Sequence, residues 1–293
     1  MIKRTIEISG RNTRIRLENG NLVFCREKQE IGRVACDDLG FLILDDFTTT
    51  CSQAALTAAV EAGAAVIVCS NDHQPAGLML PFAGNQLHAQ RLRQQVETTK
   101  PLEKRLWQQL VIAKLKNQSA MLPAGSAANK IVALSNAVFS GDPDNKEAQG
   151  ARIYWPVLFE DAGFKRARKG KPPNNLLNYG YMVLRAACAR AICTTGLHPA
   201  LGIHHSNRSN PFALADDLME PYRPFVDRKV KYLWDQGIGE LRKNSKAALL
   251  GILSEIVRLR KESSPLMVAL NKSANSLCNC LTGKAKTLDL PAP

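Results

Sequence analysis

The side chains of this sequence that are best suited to metal chemistry lie between residues 198 and 220. Three of the five histidines fall within eight residues of one another, on a segment rich in glycine and proline that ends at His205. Three acids follow at Asp216, Asp217 and Glu220. Imidazole nitrogen combined with carboxylate oxygen suits Mn²⁺ and is tolerated by Mg²⁺. The segment therefore has the side-chain chemistry of a divalent-cation site.

The same acids also have a simpler interpretation in helix packing. The pair Asn210-Pro211 is a good helix start, with an N-cap residue followed by proline at the first helical position. On that helix Asp216 and Asp217 would share a face with Glu220. Neighbouring carboxylates repel one another unless a cation or a basic side chain lies among them. Arg223 could be that basic partner, and spacing alone leaves both interpretations open.

A further acid, Glu147, follows a turn at residues 141–145 whose cap residues predict the start of a helix. In the simpler interpretation Glu147 stabilises the positive end of the helix dipole by about 0.3–1 kcal/mol. Alternatively, the small residues Ala148, Gly150 and Ala151 would let this helix approach another one closely and direct Glu147 towards a shared site. The spacing does not choose between these two roles.

The elements that must position these side chains divide the chain into two parts. Residues 1–82 show short alternating or apolar runs and are predicted to form a β-rich domain, whereas residues 86–293 are predicted to be helical. The fold class is therefore α+β, with a small β-rich N-terminal domain followed by a larger all-α C-terminal domain. Strands are expected at 5–8, 13–17, 22–24, 41–44, 65–68 and 78–80, with one short helix at 52–61.

Helical spacing in the second part is illustrated by residues 246–262, whose apolar side chains recur at the intervals of one helix face. The residues that define this spacing are Leu249, Leu250, Leu253, Ile256, Val257 and Arg260. We expect the tail, residues 287–293, to be frayed. Loops are expected at residues 71–75 and 81–85.

The net charge of +13 is distributed unevenly along the chain. The first 80 residues hold eight basic and ten acidic residues, so the positive excess lies in the remainder. Such an excess favours a polyanionic partner, usually nucleic acid, although a merely well-solvated basic surface is the alternative. The basic residues that flank the candidate acids are Lys165, Arg166, Arg168, Lys169, Lys171, Arg228, Lys229 and Lys231. They would bind phosphate without reading sequence, or the segment 165–173 could be a solvated hinge.

Composition favours neither a membrane protein nor a secreted one. The sequence begins with a charged, alternating segment rather than a signal peptide, and no apolar run approaches the roughly 20 residues of a membrane helix. The eight cysteines include no C-x-x-C pair, and we expect them to be reduced and buried. A cytoplasmic protein without membrane association is therefore expected.

Three segments of the sequence, at residues 198–227, around Glu147 and at 175–181, resemble the CRISPR-associated adaptation integrase, the enzyme that inserts captured spacer DNA into a repeat array. Residues 198–227 carry the Gly-x-x-His motif that ends at His205, and Asp-Leu-Met-Glu-Pro-Tyr-Arg-Pro-Phe-Val-Asp at 217–227. The Asn-x-Glu-Ala segment around Glu147 and the Asn-Leu-Leu-Asn-Tyr-Gly-Tyr segment at 175–181 are similar to the same family. The motifs follow the order that they have in the family and span most of the chain.

The resemblance implies one divalent cation, Mg²⁺ or Mn²⁺, with three ligands that are also the catalytic residues. These three are Glu147, His205 and Glu220. His205 is expected rather than His204 because it alone falls third after Gly202, where the family's ligand lies. Asp217 matches a further acidic position of the family. Asp216 is an extra acid where many relatives carry a neutral residue.

Residues 69–81, with Gly84-Asn85 and 91–93, resemble the version of the integrase found in type II CRISPR systems. The resemblance implies that the β-rich domain makes a homodimer and that residues 86–293 form the catalytic and DNA-binding domain. Its partners would be double-stranded DNA, as spacer precursor and CRISPR repeat, and a small ferredoxin-like adaptation protein that bridges two dimers. Other type II CRISPR proteins are further expected partners, in the cytoplasm of a prokaryote.

The expected activity is metal-dependent joining of a spacer 3′-hydroxyl to the repeat by transesterification, in the role of an endonuclease and integrase. Because His205 must lose its proton to bind metal, we expect activity to fall below about pH 6, given a reference pKa of roughly 6.5. Two alternatives are a metal-dependent nuclease or branched-DNA resolvase that uses water as the nucleophile, and a non-catalytic DNA-binding scaffold.

Overall fold

The computed structural model describes residues 3–71, 75–81, 85–167 and 170–293. The chain forms two compact units: Met1–His88 with Cys193–Gly196, and Ala89–Ile192 with Leu197–Pro293. The first is rich in β-strands and the second is mostly helical, which confirms the predicted α+β class. Parts of the expected loops at 71–75 and 81–85, and the expected phosphate contacts of Arg168 and Lys169, lie outside the described residues.

The described part of the β-rich unit contains two four-stranded sheets and one helix. Its elements are β1 (Arg4–Ile8), β2 (Arg14–Glu18), β3 (Asn21–Arg26), β4 (Gln29–Ala35), β5 (Leu39–Leu44), β6 (Thr50–Cys51), α1 (Gln53–Glu61), β7 (Ala65–Cys69) and β8 (Pro75–Met79). One sheet has the order β1-β5-β7-β8, in which only the β7–β8 pair is antiparallel. The other has the order β4-β3-β2-β6. The strands expected from sequence are confirmed, and β4 and β6 were not predicted.

The core of the β-rich unit is shared by the two sheets and α1. Side chains such as Ile15 and Leu22 from one sheet and Leu42 from the other are buried in one cluster. Helix α1 packs its small residues against that cluster, and its N-cap residue Ser52 accepts a hydrogen bond from the backbone N–H of Ala55 at 3.2 Å. Burial of these apolar side chains is the main source of stability for such a unit.

The helical unit is built around one long helix. Its helices are α2 (His88–Val96), α3 (Lys100–Met121), α4 (Ser126–Asn136), α5 (Lys146–Leu158), α6 (Asn174–Thr194), α7 (Ala213–Met219), α8 (Arg223–Asp235), α9 (Lys243–Leu250) and α10 (Leu266–Leu281). Helix α3 packs against α4, α5, α7, α8 and the 3₁₀ turn Glu220–Tyr222. Among the helices of the described segments, none is both long enough and apolar enough to cross a membrane.

One buried face of α3 carries Trp107, Val111 and Lys114, which follow the spacing of a single helix face. Further along the helix, the buried amide of Asn117 donates to the carbonyl oxygens of Pro221 at 2.8 Å and Pro291 at 3.1 Å. Asn117 thereby ties the 3₁₀ turn and the last residues of the chain to the same helix.

The expectation of an all-α second domain is wrong in one respect, because the helical unit also contains a three-stranded sheet. Its strands are β9 (Ile256–Leu259), β10 (Glu262–Pro265) and β11 (Pro291–Ala292), in the order β10-β9-β11. The helix expected across 246–262 ends at Leu250, and the tail is paired rather than frayed. The physical reason is local: β-branched Ile256 and Val257 alternate between exposed and buried positions, and Arg260 with φ near +53° makes a two-residue hairpin turn.

A buried polar cluster joins three of the helices. Asp227 of α8 accepts hydrogen bonds from the hydroxyl of Tyr154 on α5, at 3.1 Å, and from the hydroxyl of Tyr181 on α6. All three side chains are almost fully excluded from solvent. Burial raises the pKa of Asp227 to about 7, against the lowering influence of the two tyrosines. The cluster therefore fixes α5, α6 and α8 relative to one another through a carboxyl group that is easily protonated.

We expect Asp227→Ala to lower the free energy of unfolding by about 2–4 kcal/mol, since two buried hydroxyls lose their acceptor and each costs roughly 1–3 kcal/mol. The matched variant Asp227→Asn keeps an acceptor oxygen and should lose less. Because the pKa of Asp227 is higher in the folded chain, its contribution is present below about pH 4 and is lost as pH rises towards 7. Denaturant unfolding at pH 5 and pH 8 measures both effects. A pH dependence that is the same in Asp227→Asn and in the unaltered chain would contradict the assignment.

Candidate active site

The loop that carries the clustered histidines is folded around the carboxylate of Asp217. Oδ2 of Asp217 accepts from the backbone N–H groups of Ile203 at 2.7 Å and His204 at 3.1 Å. Oδ1 accepts from the backbone N–H of His205 at 3.1 Å and lies 2.6 Å from its Nδ1. Asp217 is fully buried, and a buried carboxylate needs such donors to offset its lost hydration. It therefore fixes both the backbone and the imidazole of His205.

Gly202 is required because this loop closes tightly on itself. A Cβ atom at Gly202 would lie 2.4 Å from the carbonyl oxygen of His205 and 2.9 Å from Oδ2 of Asp217. Both distances are shorter than real contacts allow, and one of the two atoms belongs to the backbone. The Gly-x-x-His motif therefore encodes a tight loop in which the backbone of His205 folds back against Gly202.

The other end of the loop is held by Gln95 of α2. Its side-chain Nε2 donates to the carbonyl oxygens of His198 at 3.0 Å and Leu201 at 2.9 Å, and its Oε1 accepts from the backbone N–H of His198 at 2.9 Å. Gln95 is itself buried. Two buried polar side chains, Gln95 and Asp217, thus fix the loop at both ends.

The two adjacent histidines have different surroundings. The ring of His204 stacks in parallel on the buried indole of Trp107, with ring centroids 3.9 Å apart. The ring of His205 meets Trp107 edge-on, and its side chain is 39% exposed. With Nδ1 donating to Asp217, the neutral imidazole of His205 presents the lone pair of Nε2. These surroundings favour His205 over His204 as a ligand, as the sequence motif predicts.

The two glutamates of the predicted site meet at one lysine. The ammonium Nζ of Lys114 lies 2.5 Å from Oε1 of Glu147 and 2.6 Å from Oε2 of Glu220. The other oxygen of Glu220, Oε1, lies 2.9 Å from Nη2 of Arg223. Glu220 is almost completely buried, whereas the side chain of Glu147 is 24% exposed. The helix interpretation of Arg223 as a partner of Glu220 is therefore confirmed, but Glu220 has a second cation beside it.

Glu147 reaches this position because α5 begins just before it and approaches α3 closely. Asp142 accepts from the backbone N–H groups of Lys146 at 2.8 Å and Glu147 at 3.0 Å, which satisfies the first turn of the helix. A Cβ atom at Gly150 would lie 2.2 Å from Cδ2 of Leu115 on α3. The prediction that small residues let this helix approach another one closely is therefore confirmed at Gly150, whereas a shared site for Glu147 stays a prediction.

The charges of this cluster determine its ionisation. Burial opposes the ionised form of Glu220, but Arg223 and Lys114 outweigh burial and hold the pKa of Glu220 below its usual value. Burial likewise opposes the charged form of Lys114, yet Glu220 and Glu147 keep the pKa of Lys114 above its usual value. The hydrogen bond that Nδ1 of His205 donates to Asp217 raises the pKa of His205, against the lowering influence of burial, and the negative charge of Glu220 also contributes. His205 and Glu220 thus lie within electrostatic reach of each other.

Asp216, Asp217 and Glu220 have separate partners, contrary to the expectation that they share one helix face. Asp216 receives both the Nε and Nη2 donors of Arg185 at 2.6 Å, and also the Nδ2 donor of Asn210 at 2.7 Å. Asp217 caps the histidine loop, and Glu220 follows the end of α7 in the 3₁₀ turn. Asn210 forms its own turn by accepting from the backbone N–H of Phe212 at 3.1 Å. Helix α7 therefore begins at Ala213 rather than at residue 211.

The side chains of Glu147, His205 and Glu220 lie near one another, but their ligand atoms do not all converge on one position. Within the described segments, no three His, Cys, Asp or Glu side chains are arranged so that they hold a metal ion. The ammonium of Lys114 lies instead where Glu147 and Glu220 converge. Oε2 of Glu220 is buried and faces that ammonium, yet no aligned hydrogen-bond donor meets it among the described residues. Two carboxylates, one with an unsatisfied buried oxygen, and one imidazole nitrogen fit the ligand preferences of Mg²⁺ or Mn²⁺.

Sequence reasoning missed Lys114 and Gln95. Lys114 had a recognisable signal, since it stands on the otherwise apolar face of α3 beside Leu110, Val111 and Leu115. A lysine at such a position is buried only with an acidic partner. Gln95 gave no comparable signal, because its role depends on backbone groups of a loop about a hundred positions away.

Solved structures first define the class of protein to which this fold belongs. A casposase bound to integration product has a TM-score of 0.80 at 20% sequence identity, covering 99% of this chain and 93% of that chain. A Cas1 protein from Thermotoga maritima has a TM-score of 0.77 at 14% identity, covering 96% of this chain and 98% of that chain. The fold is therefore that of Cas1 proteins and casposases.

Sequence comparison then identifies the family. The family described as CRISPR associated protein Cas1 matches residues 6–255. The CRISPR-associated endonuclease Cas1 of Neisseria meningitidis serogroup C (strain 8013) is 34% identical over 289 residues, 94% of this chain and 94% of the relative. A Cas1 endonuclease of Pyrobaculum aerophilum is 30% identical over 247 residues, 78% of this chain and 83% of the relative. The chain belongs to the Cas1 family, which confirms the resemblance read from its motifs; the type II version stays a prediction.

The contact with Asp217 predicts the titration of His205. We expect the imidazole pKa of His205 to lie above 6.5. His205 therefore loses its proton, and Nε2 can bind a metal, only at a higher pH than in an isolated histidine. The pH below which His205 can no longer bind a metal should therefore lie above the value of about 6 that the sequence predicts. Ring NMR signals, assigned with His205→Gln, measure this pKa. Asp217→Asn should lower it, whereas Asp235→Asn should leave it unchanged; equal pKa values in all three proteins would contradict the prediction.

Proposed function

We propose that this Cas1-family protein is a metal-dependent DNA endonuclease and integrase that acts in CRISPR spacer acquisition. In this proposal the 3′-hydroxyl of spacer DNA attacks a phosphodiester of the CRISPR repeat. One P–O bond forms, another P–O bond of the repeat breaks, and the leaving oxygen takes up a proton as the attacking hydroxyl loses one. The observation that carries the proposal is the convergence of Glu147 and Glu220, from separate elements, on one cationic position within electrostatic reach of His205. The names of the curated relatives, CRISPR-associated endonucleases, support the same activity.

In this proposal Glu147 and Glu220 offer anionic oxygens to a divalent cation, and His205 offers Nε2. When bound, such a cation would polarise the phosphodiester and lower the pKa of the attacking hydroxyl. Arg223 keeps Glu220 ionised, and Asp217 keeps the ring of His205 oriented and in one tautomer. An open cavity of about 400 Å³ is lined by His205 and Arg208 among others, and through it a substrate strand would reach the imidazole.

The excess positive charge of the helical unit supports DNA as the substrate. Several of the basic side chains that follow Glu220 in the sequence form surface ion pairs with partly exposed side chains: Arg228 and Lys229 with Glu255, and Lys231 with Asp235. Surface pairs contribute little stability, so phosphate groups could replace these carboxylates at small cost. Contacts of this type would bind many DNA sequences and depend strongly on salt.

The proposed partners follow from the family. A chain of a Cas6-RT-Cas1–Cas2 complex has the same fold, with a TM-score of 0.77 over 98% of this chain and 36% of that chain. We propose that this protein likewise assembles with a small ferredoxin-like adaptation protein, as a homodimer formed through its β-rich unit. Other type II CRISPR proteins and a cytoplasmic location belong to the same proposal.

The three proposed ligands can be tested separately from DNA binding. Glu147→Gln, Glu220→Gln and His205→Ala should each lower Mn²⁺- or Mg²⁺-dependent joining by roughly 100-fold or more, since several kcal/mol of charge stabilisation are lost. Each variant should retain its affinity for duplex DNA. The measurement is transfer of a labelled spacer oligonucleotide to a repeat duplex, with the adaptation partner present and with or without a chelator.

Glu262→Gln, which removes an exposed acid on the β9–β10 hairpin, is the matched control and should join DNA normally. Joining that survives all three ligand substitutions would refute the proposed site. Duplex DNA binding by the unaltered chain without any metal-dependent joining would identify a non-catalytic DNA-binding scaffold. Release of nucleotides without joined product, with and without the partner protein, would identify a nuclease or resolvase that uses water.

The basic segment near residue 170 can be tested through salt. Lys165 and Lys171 are exposed, and replacing both with Gln should reduce the slope of log affinity against log salt by about 0.9 for each lost phosphate contact. Lys28→Gln in the β-rich unit should leave the slope unchanged. Fluorescence anisotropy with a duplex between 50 and 300 mM salt, roughly the range in which such slopes are resolved, measures this. An unaltered slope would identify the segment as a solvated hinge.

A further inference from the structure

The ammonium group of Lys114 has a position that the proposed reaction does not explain. It lies within 2.6 Å of one oxygen from each of the two proposed carboxylate ligands. Its side chain is only 10% exposed, so it is held there without the hydration that a surface lysine keeps. A cation bound to both oxygens would need the space that Nζ fills, because Mg²⁺ and Mn²⁺ approach such oxygens to roughly 2.0–2.2 Å.

The charges around Lys114 show what the ammonium does in the metal-free protein. Glu147 and Glu220 carry two negative charges, and Lys114 and Arg223 carry two positive ones, so this cluster is balanced without a metal. A divalent ion added to the balanced cluster would leave it with two excess positive charges in a poorly hydrated place. The excess is halved if the ammonium leaves as the ion arrives.

The hydrogen bonds of Lys114 are compatible with its departure. It donates to Oε1 of Glu147, but it faces Oε2 of Glu220 without aligned hydrogen-bond geometry. One oxygen of Glu220 is thus neutralised by proximity and not by a directed bond. Lysine also has a flexible four-carbon stem that can carry its charge to a new position, unlike the planar fork of Arg223.

We propose that Lys114 is a built-in counter-cation that holds Glu147 and Glu220 together in the metal-free protein and competes with the divalent ion for them. The proposal rests on the metal dependence of the proposed function. Lys114 is accordingly a positioning residue: it acts through the two carboxylates and sets the metal concentration at which the site becomes loaded. A lysine with a merely structural role would strengthen the metal site by holding its ligands in place, whereas a competing lysine weakens it.

The test is the affinity of the full chain for Mn²⁺ alone, measured by calorimetry or by the paramagnetic signal of free Mn²⁺. In Lys114→Met the metal-free protein should melt at a lower temperature, because two carboxylates then face each other uncompensated. The same variant should bind Mn²⁺ at least tenfold more tightly and gain more melting temperature from Mn²⁺ than the unaltered chain gains. Lys114→Arg, which restores a cation, should reverse both changes in part.

Lys246→Met is the matched control, because Lys246 is also buried in the helical unit but lies against the ring of Tyr179. It should leave Mn²⁺ affinity within about twofold, a change equivalent to roughly 0.4 kcal/mol. Unchanged or weaker Mn²⁺ binding in Lys114→Met overturns the inference while leaving the proposed function intact. Failure of the unaltered chain to bind Mn²⁺ overturns both.

A measurement on the unaltered chain covers the case in which Lys114→Met does not fold. NMR signals of the lysine side-chain ammonium groups can be followed during titration with diamagnetic Mg²⁺. The Lys114 signal should change as the ion displaces it, and the other lysine signals should stay in place. A Lys114 signal that is unmoved when the site is saturated with Mg²⁺ overturns the inference.

Discussion

Two carboxylates of like charge cannot be placed side by side in a poorly hydrated interior unless a cation lies between them. Glu147 and Glu220 meet this constraint through Lys114, and Glu220 meets it a second time through Arg223. The arrangement of the helical unit follows from the requirement. Helix α3 must be central so that its lysine reaches both acids, and α5 must lie close against it, which Gly150 permits. Compensation of the two glutamate charges therefore depends on the close packing of α3 and α5.

The second organising feature is the use of buried polar side chains to hold irregular backbone. Asp217 satisfies three consecutive N–H groups of the histidine loop, and Gln95 satisfies the loop at its beginning. Polar side chains and backbone groups are costly to bury unless all their hydrogen bonds are made. When all of them are made, the loop is held in one conformation. The imidazole of His205 is consequently placed by its surroundings before any ligand arrives, which is what a preorganised site requires.

The sequence predicted those parts of the structure that depend on neighbouring residues. Alternation located the strand around Ile15, an apolar run located the strand around Leu42, and the cap residues before Glu147 located the start of α5. Residues 249–257 were predicted as one helix from their apolar spacing, but the helix ends at Leu250. The β-branched pair Ile256-Val257 and the turn at Arg260 favour a strand, which pairs with β10 and β11. The three proposed ligands came from family resemblance, not from spacing. The apolar face of α3 signals that Lys114 is buried with an acidic partner, but the identity of its two acids could not be predicted, because folding alone brings Glu147 and Glu220 to it.

Asn117 gives the last residues of the chain an influence on the proposed active site. Its single amide group holds the carbonyl of Pro221, next to Glu220, and the carbonyl of Pro291 in β11. An affinity tag, a fusion junction or a protease cut that displaces β11 would free that amide and loosen the turn beneath the glutamate. Any change that displaces β11 is therefore expected to alter the support of Glu220 as well.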